Sequence, residues 1–243
     1  MFGGSKKRRF RVLTLVLAMV LIVGGVVSGT LAWLIAETTP VVNTFSYGDI
    51  DLELEETETD EKGNPVDKDG DGPDKTTAGN YYEMIPGKEY LKDPTVTVLA
   101  GNEACWLFVK LEEKDGSNAT YKFGDYLEYD VADDDNEWTA LQENGAALKG
   151  IYFRFVGEDT DNTEIVYEIL EGNTIKVKDT VDKAMLNALD KNGQDTAATY
   201  PSLSITAYAV QYSGFEATDS SVEQMNAAAW KAWKAVEEQT VTP

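Results

Sequence analysis

The sequence predicts an all-β domain with minor helical content, best described as a jelly-roll-like β-sandwich with two peripheral helices. Three observations support this fold class. Apolar residues after position 44 mostly alternate with period two, glycine, asparagine and aspartate separate these runs, and only two segments carry a helical period. Many short strands divided by turn residues are typical of sandwiches and jelly rolls.

The first predicted strand follows a threonine-rich stretch and covers "NTFSYGDIDLELE". Its large apolar residues change parity once, at Gly48–Asp49, and a β-bulge there would return them all to one face. These residues are Phe45, Tyr47, Ile50, Leu52 and Leu54. Further strands are predicted at residues 95–100, 105–112, 121–129, 151–157, 164–170, 174–178 and 203–212.

Two segments have the 3.6-residue period of a helix. Residues 179–193 space Val181, Met185 and Leu189 four apart and end at an Asn-Gly pair. The C-terminal helix is predicted at residues 219–239, with Ser220 and Glu223 as a capping box. Its apolar stripe, which should dock on the domain surface, is Val222, Met225, Ala229, Trp233 and Val236.

The N-terminus has the three parts of a signal peptide, predicted at residues 1–32. "KKRRFR" supplies positive charge, a long apolar run follows, and small residues precede a cleavage point with Thr30 at −3 and Ala32 at −1. An uncleaved anchor extending to residue 36 is the alternative, because 25 uncharged residues from Val12 to Ala36 are enough to span a bilayer. With cleavage, residues 33–243 form the exported domain. In both cases the basic flank stays in the cytoplasm and the rest of the chain goes outside.

The chain is strongly acidic. Its 243 residues carry a formal charge of −22, and the leader holds five positive charges and no acid, so the exported part is near −27. Such a surface repels nucleic acid and anionic lipid head groups and keeps the chains soluble. We therefore expect no nucleic-acid partner, and contact with the membrane only through the leader.

The composition argues against an enzyme. The chain has no histidine, which excludes Ser-His-Asp and Cys-His nucleophile systems and the histidine-dependent zinc motifs. Cys105, the one cysteine, lies in an alternating apolar run and is predicted to be a buried, inert thiol. The acids are scattered over loops, where they are more typical of a solvated surface than of a catalytic pair.

Residues 55–80 form an acidic insertion with nine acids, three lysines and no apolar period, which predicts a mobile loop. Within it, "DKDGDG" places Asp67, Asp69 and Asp71 at positions 1, 3 and 5 of a calcium loop. Position 12 is an alanine, so Asp74 at position 8 is the candidate fourth ligand. The alternative is an ordinary acidic turn.

The junction between leader and domain resembles that of the TasA/camelysin family, whose precursors are processed by a SipW-type signal peptidase. The matching residues are a Gly-Thr-x-Ala element followed by an Asn-Thr-Phe-x-x-Gly-x-x-x-Leu strand: Gly29, Thr30, Ala32, Asn43, Thr44, Phe45, Gly48 and Leu52. "IPGKEYLKDPTVTVLAGNEACWLFVKL" and "ITAYAVQYSGF" followed by "AAAWKAW" are looser matches. Trp33 and Leu34 depart from the family pattern, and without histidine the metallopeptidase activity described for some relatives is not expected here.

The resemblance implies a secreted protein of the biofilm matrix or cell surface of a Gram-positive-type bacterium. It also implies self-association, or association with related matrix subunits, in which a freed N-terminal strand enters the next subunit's sheet and builds a fibre. Phe45, Tyr47, Ile50, Leu52 and Leu54 would form the buried face of that strand, unless the strand pairs within its own domain. The alternative function is a membrane-tethered module that binds a glycan or protein through calcium or through Tyr81, Tyr82 and Trp138.

Overall fold

The computed structural model describes residues 35–37, 50–116, 120–132, 138–189 and 200–240. These residues belong to one compact unit that begins at Ile35. The leader with Thr30 and Ala32, and the strand residues Phe45 and Tyr47, lie outside the described residues.

Among the residues that the structure describes, twelve strands form three sheets. The strands are β1 (Ile35–Glu37), β2 (Leu52–Thr57), β3 (Lys75–Thr76), β4 (Glu89–Leu91), β5 (Thr95–Val98), β6 (Cys105–Lys114), β7 (Leu127–Glu128), β8 (Thr139–Glu143), β9 (Ala146–Val156), β10 (Ile165–Glu168), β11 (Thr174–Val177) and β12 (Ser202–Gln211). The sheet orders are β1-β12-β6-β9-β8, β10-β5-β2-β3 and β4-β11-β7, and every pairing is antiparallel. The predicted mainly-β fold class is confirmed.

The five-stranded and four-stranded sheets pack face to face around the main core. Alternate residues of β6 and β12, including Leu107, Val109 and Ala207, meet Leu52 and Val98 of the other sheet. These side chains have essentially no solvent exposure. Their period-two burial is the pattern expected of a sandwich, while the jelly-roll topology stays a prediction.

The opposite face of the five-stranded sheet is covered by the C-terminal helix. This helix runs over Val222–Thr240 and buries Ala229, Trp233 and Val236 against the sheet. The Trp233 ring lies 5.4 Å from the Phe108 ring and 5.5 Å from the Tyr208 ring, centroid to centroid. The domain therefore has three layers: helix, sheet and sheet.

The three-stranded sheet has a smaller core of its own. Two short helices, α1 (Phe123–Tyr126) and α2 (Lys183–Leu189), pack on it. Val181, Met185 and Leu189 are buried there, as the four-residue spacing predicts. We call the C-terminal helix α3. None of the helices within the described residues is long and apolar enough to cross a membrane.

The prediction of a strand at residues 121–129 is wrong. The chain forms α1 and then only the two residues of β7. Carboxylates bind the free N–H groups at the start of this turn: Asp125 Oδ2 accepts from Lys122 N–H at 2.7 Å, and Asp115 Oδ1 accepts from Phe123 N–H at 2.8 Å. These end caps stabilise a helical turn against the strand that the apolar alternation favours.

The acidic segment 55–80 is more ordered than the predicted loop. Glu55–Thr57 belong to β2, and β3 pairs with the end of β2. Between them, Val66 N–H donates to Glu58 O at 2.9 Å and Asp74 N–H donates to Val66 O at 2.8 Å. Because these bonds join backbone groups, the pattern of apolar residues in the sequence does not predict them.

The α3 helix begins at Val222, three residues after the predicted start at residue 219. Ser221 Oγ, not Ser220, accepts the N–H of Gln224, at 3.4 Å. The predicted stripe is correct from Met225 onward, but Val222 is 73% exposed because it lies at the solvent-facing start of the helix.

Replacing Trp233 with alanine should lower the free energy of unfolding by about 3–5 kcal/mol, because it empties the centre of the helix–sheet layer. The matched control is Trp230→Ala, three residues away. Trp230 is only half-buried, under the Lys234 ammonium at 5.0 Å, and its loss should cost about 1 kcal/mol. Urea unfolding of both variants tests this, and equal costs would contradict the described helix orientation.

Candidate functional site

One edge of the five-stranded sheet is only partly paired. β6 pairs with all ten residues of β12, whereas β1 pairs with Tyr208–Val210 alone. Tyr212 N–H donates to Ala104 O at 2.8 Å. In an antiparallel pair, this bond means that even-numbered residues of β12 direct their backbone N–H and C=O groups to β6. Odd-numbered residues direct theirs to the other side. Within the described residues, no strand pairs with Leu203 or Ile205 on that other side.

A groove of about 400 Å³ runs beside this unpaired edge. Ser202–Ile205 form one side, and Leu54–Glu56 of β2, residues 76–81 and Lys92 form the other. Tyr81, which is 43% exposed, stands in this lining. Backbone hydrogen-bonding groups, an aromatic ring and charged side chains thus face one concave surface.

A buried ion pair supports the β2 side of the groove. Lys92 Nζ lies 2.5 Å from Glu56 Oε2, and both side chains are almost fully buried. Asn80 Nδ2 donates to Glu56 Oε1 at 3.1 Å and to Thr57 O at 2.8 Å. The same network raises the pKa of Tyr82 to about 12, through burial first and the nearby Glu56 carboxylate second.

A smaller cavity of about 170 Å³ adjoins the groove at its Leu203 end. We call it the tyrosine pocket, since its lining includes Tyr82, Tyr90, Tyr200, Met84 and Leu203. Tyr81 and Leu203 line both cavities. The Tyr81 and Tyr200 rings meet edge to face, with centroids 5.8 Å apart, so an aromatic wall connects the two spaces.

Three of the four predicted calcium ligands lie together. Asp67, Asp69 and Asp71 are exposed, and each offers a carboxylate oxygen within 4.8 Å of the other two. Gly72, at φ 136°, allows the turn that gathers them. The three carboxylates are a hard-oxygen donor set of the kind that suits Ca²⁺.

Asp74, the predicted fourth ligand, is not part of this cluster. Its Oδ2 lies 3.7 Å from the Lys68 ammonium, and its backbone is bonded to Glu58 and Val66. Asp74 is therefore not a fourth ligand in this arrangement.

The predicted assembly strand is divided between described and undescribed residues. Ile50 and Leu52 are buried in the main core, with 4% and 0% exposure, and Leu54 packs against it. Leu52 pairs with Val98, and Leu54 with Val96. Leu52 and Leu54 therefore have the alternative arrangement, pairing within their own domain, and Ile50 is buried in the same core.

Among the aromatic residues considered for ligand binding, Tyr81 alone is exposed. Trp138 is buried and donates its indole N–H to Glu168 O at 2.7 Å, and Tyr82 donates its hydroxyl to Leu91 O at 2.6 Å. Cys105 is fully buried, which raises the pKa of its thiol to about 12 and confirms the prediction of a buried thiol. The sequence analysis missed Lys92 and Tyr200, because their partners are 36 and 119 positions away.

Comparison with known proteins identifies no relative. No family model, no curated protein and no solved structure matches the chain.

Replacing Lys92 with methionine should lower the free energy of unfolding by about 3 kcal/mol, because it leaves the Glu56 carboxylate buried without its cation. The double variant Glu56→Gln/Lys92→Met removes both charges and keeps an amide for Asn80. It should cost only about 1 kcal/mol. Urea unfolding compares the two, and a double variant as unstable as the single one would argue against a buried ion pair.

Proposed function

We propose that the chain is a secreted structural protein of the cell surface or biofilm matrix, without enzymatic activity, that assembles when an extended segment of one copy adds to the open edge of the next. One observation carries the proposal: Leu203 and Ile205 line an accessible groove, and within the described residues no strand pairs with them on the side away from β6. An incoming strand would gain main-chain hydrogen bonds along this edge.

The chain's own N-terminal segment is poorly suited to fill this edge. β1 places Glu37 opposite Tyr208, so the same register would bring Pro40 opposite Ile205, where an N–H donor is needed. Proline has no N–H and interrupts a ladder at such a position. This supports a partner strand from another molecule, with a different register.

The N-terminal segment of a second copy is the proposed donor. Residues 38–48 carry no charge, in a chain of formal charge −22. An uncharged segment approaches an acidic surface without the repulsion that other parts of the chain would meet. Because Ile50 and Leu52 belong to their own domain's core, the donated part ends before them and includes Phe45 and Tyr47.

The opposite edge of the five-stranded sheet is protected, which supports growth in one direction. Asn226 of α3 accepts the Gln142 N–H at 2.8 Å and donates to the Gln142 carbonyl at 2.9 Å, as a neighbouring strand would. Blocking one edge in this way prevents edge-to-edge pairing. Donor and acceptor are then different surfaces, and such head-to-tail contacts propagate instead of closing.

The leader and the family resemblance support export. We propose that a SipW-type peptidase cleaves after Ala32 and that the mature protein acts outside a Gram-positive-type cell. In a donating copy, β1 would also leave its pairing with Tyr208–Val210, so that the segment after it can reach a neighbour. The strong negative charge supports a partner that is neither nucleic acid nor anionic membrane. Related matrix subunits of similar fold are possible co-assembly partners.

A second candidate function is calcium-dependent binding by a membrane-tethered module. The clustered carboxylates of Asp67, Asp69 and Asp71 favour it, together with the exposed ring of Tyr81 beside the groove. In this reading the leader stays uncleaved and the groove holds a glycan or a protein segment.

The variant Leu203→Pro should abolish assembly of the leaderless chain while leaving the domain folded. Proline at this position removes an N–H that points away from β6, so the β12–β6 ladder is preserved. Leu203→Val keeps the N–H and is the matched control, which should assemble like the parent. Negative-stain microscopy and sedimentation measure assembly, and filaments of the proline variant would refute the proposed acceptor edge.

Calcium titration of the parent by calorimetry should give a saturable heat. Asp69→Asn should lower the calcium affinity at least tenfold, since Asp69 is a member of the carboxylate triad. Asp74→Asn is the control and should bind as the parent does, because Asp74 faces Lys68. A flat trace for the parent at millimolar calcium would remove the site.

A further inference from the structure

We propose that the tyrosine pocket receives the side chain of Phe45 from the incoming copy and so sets which segment the groove accepts. The inference rests on the proposed function and names the side chain that would give it specificity. In strand addition, backbone bonds supply affinity, and pockets for alternate side chains supply selectivity.

The location of the pocket matches this role. Leu203 lines both the pocket and the groove, and Ser202 and Tyr81 also contribute to both. A strand that pairs with Ile205 and Leu203 and continues toward Tyr200 passes the mouth of the pocket. Since alternate side chains of a strand point to the same face, one side chain near the end of the paired stretch is directed into the pocket.

The size of the pocket matches one aromatic ring. Its volume is about 170 Å³, and a cavity of about 150 Å³ with apolar walls holds a benzene molecule. Most of the walls are apolar or aromatic, including Tyr82, Met84, Tyr90, Ile175, Val177 and Leu203, and the polar part of the lining comes from Asn80, Glu83, Lys92 and Ser202. Charged or small side chains would leave this surface unfilled.

The lining of the pocket suits phenylalanine better than tyrosine or a sugar. The Tyr82 hydroxyl donates to Leu91 O, and the Tyr90 hydroxyl donates to Glu83 O. The Asn80 amide is already bonded to Glu56, Thr57 and Thr59. A buried hydroxyl needs a hydrogen-bond partner of its own, whereas a phenylalanine ring needs none. Phenylalanine therefore suits a pocket whose walls are mainly apolar and aromatic.

Residues 38–48 contain one phenylalanine, Phe45, and one tyrosine, Tyr47. Both lie on the same face of an extended strand, two positions apart. Because the Phe45 ring has no hydroxyl, we assign Phe45 to the pocket and place Tyr47 nearer to solvent.

The test uses a labelled synthetic peptide of residues 38–49 and the monomeric leaderless chain, residues 33–243, with binding followed by fluorescence anisotropy. The parent peptide should bind saturably, and Phe45→Ala in the peptide should weaken binding at least about tenfold. Tyr47→Ala in the peptide is the matched control and should change binding less than about threefold.

Two protein variants separate the pocket from the edge. Met84→Trp fills the pocket and should weaken binding of the parent peptide at least about tenfold. Ile85→Trp, at an exposed neighbouring position outside the lining, should leave that binding unchanged. Circular dichroism and urea unfolding confirm that both variants are folded.

The outcomes distinguish the two proposals. If the parent peptide does not bind, and the leaderless chain does not assemble, strand addition itself is refuted. If the peptide binds but Phe45→Ala and Met84→Trp leave its affinity unchanged, the strand-addition proposal stands and the pocket assignment is overturned. Binding of a neutral oligosaccharide that Met84→Trp abolishes, in place of the peptide, would also overturn the assignment.

Discussion

The alternation along β12 is the constraint on which the rest of the structure depends. Odd-numbered side chains such as Ile205 and Ala209 point into the core between the two sheets, while even-numbered ones such as Tyr208 and Val210 contact the helix layer. A slip of one residue would place each set in the wrong layer. The register with β6 is therefore fixed over ten residues. It also fixes which backbone groups of β12, those of Leu203 and Ile205 among them, point away from β6.

The edges of the sheets differ in how they are covered. The side-chain amide of Asn226 bonds the backbone of β8 through both its oxygen and its nitrogen, and Trp138 donates to a carbonyl at the end of β10. Covering an outer strand with side chains of the same chain is a common protection against unwanted pairing. The first half of β12 instead faces a groove. This asymmetry gives the domain a direction, and it supports polar assembly more than lateral aggregation.

The sequence predicted the parts of the fold that rest on apolar periodicity and missed those that rest on polar contacts. β5, β6 and β12 follow period two, and α3 has a continuous stripe, so both types of element were recognised. The turn at α1 forms through carboxylates that accept backbone N–H groups, and the acidic segment is ordered by backbone pairing. The candidate site was harder still: the aspartate triad is local and was predicted, whereas the groove joins β2 to β12 across most of the chain.

The aspartate triad and the groove are connected through β3. The triad lies in the segment between β2 and β3, and the residues just after β3 line the groove opposite β12. A divalent cation held by three carboxylates would neutralise much of their charge and restrict the turn that leads into β3. Both effects would favour the approach of a second acidic chain, because repulsion between the copies would fall and one wall of the groove would be held in place. The two proposed functions, calcium binding and strand addition, are therefore compatible with each other.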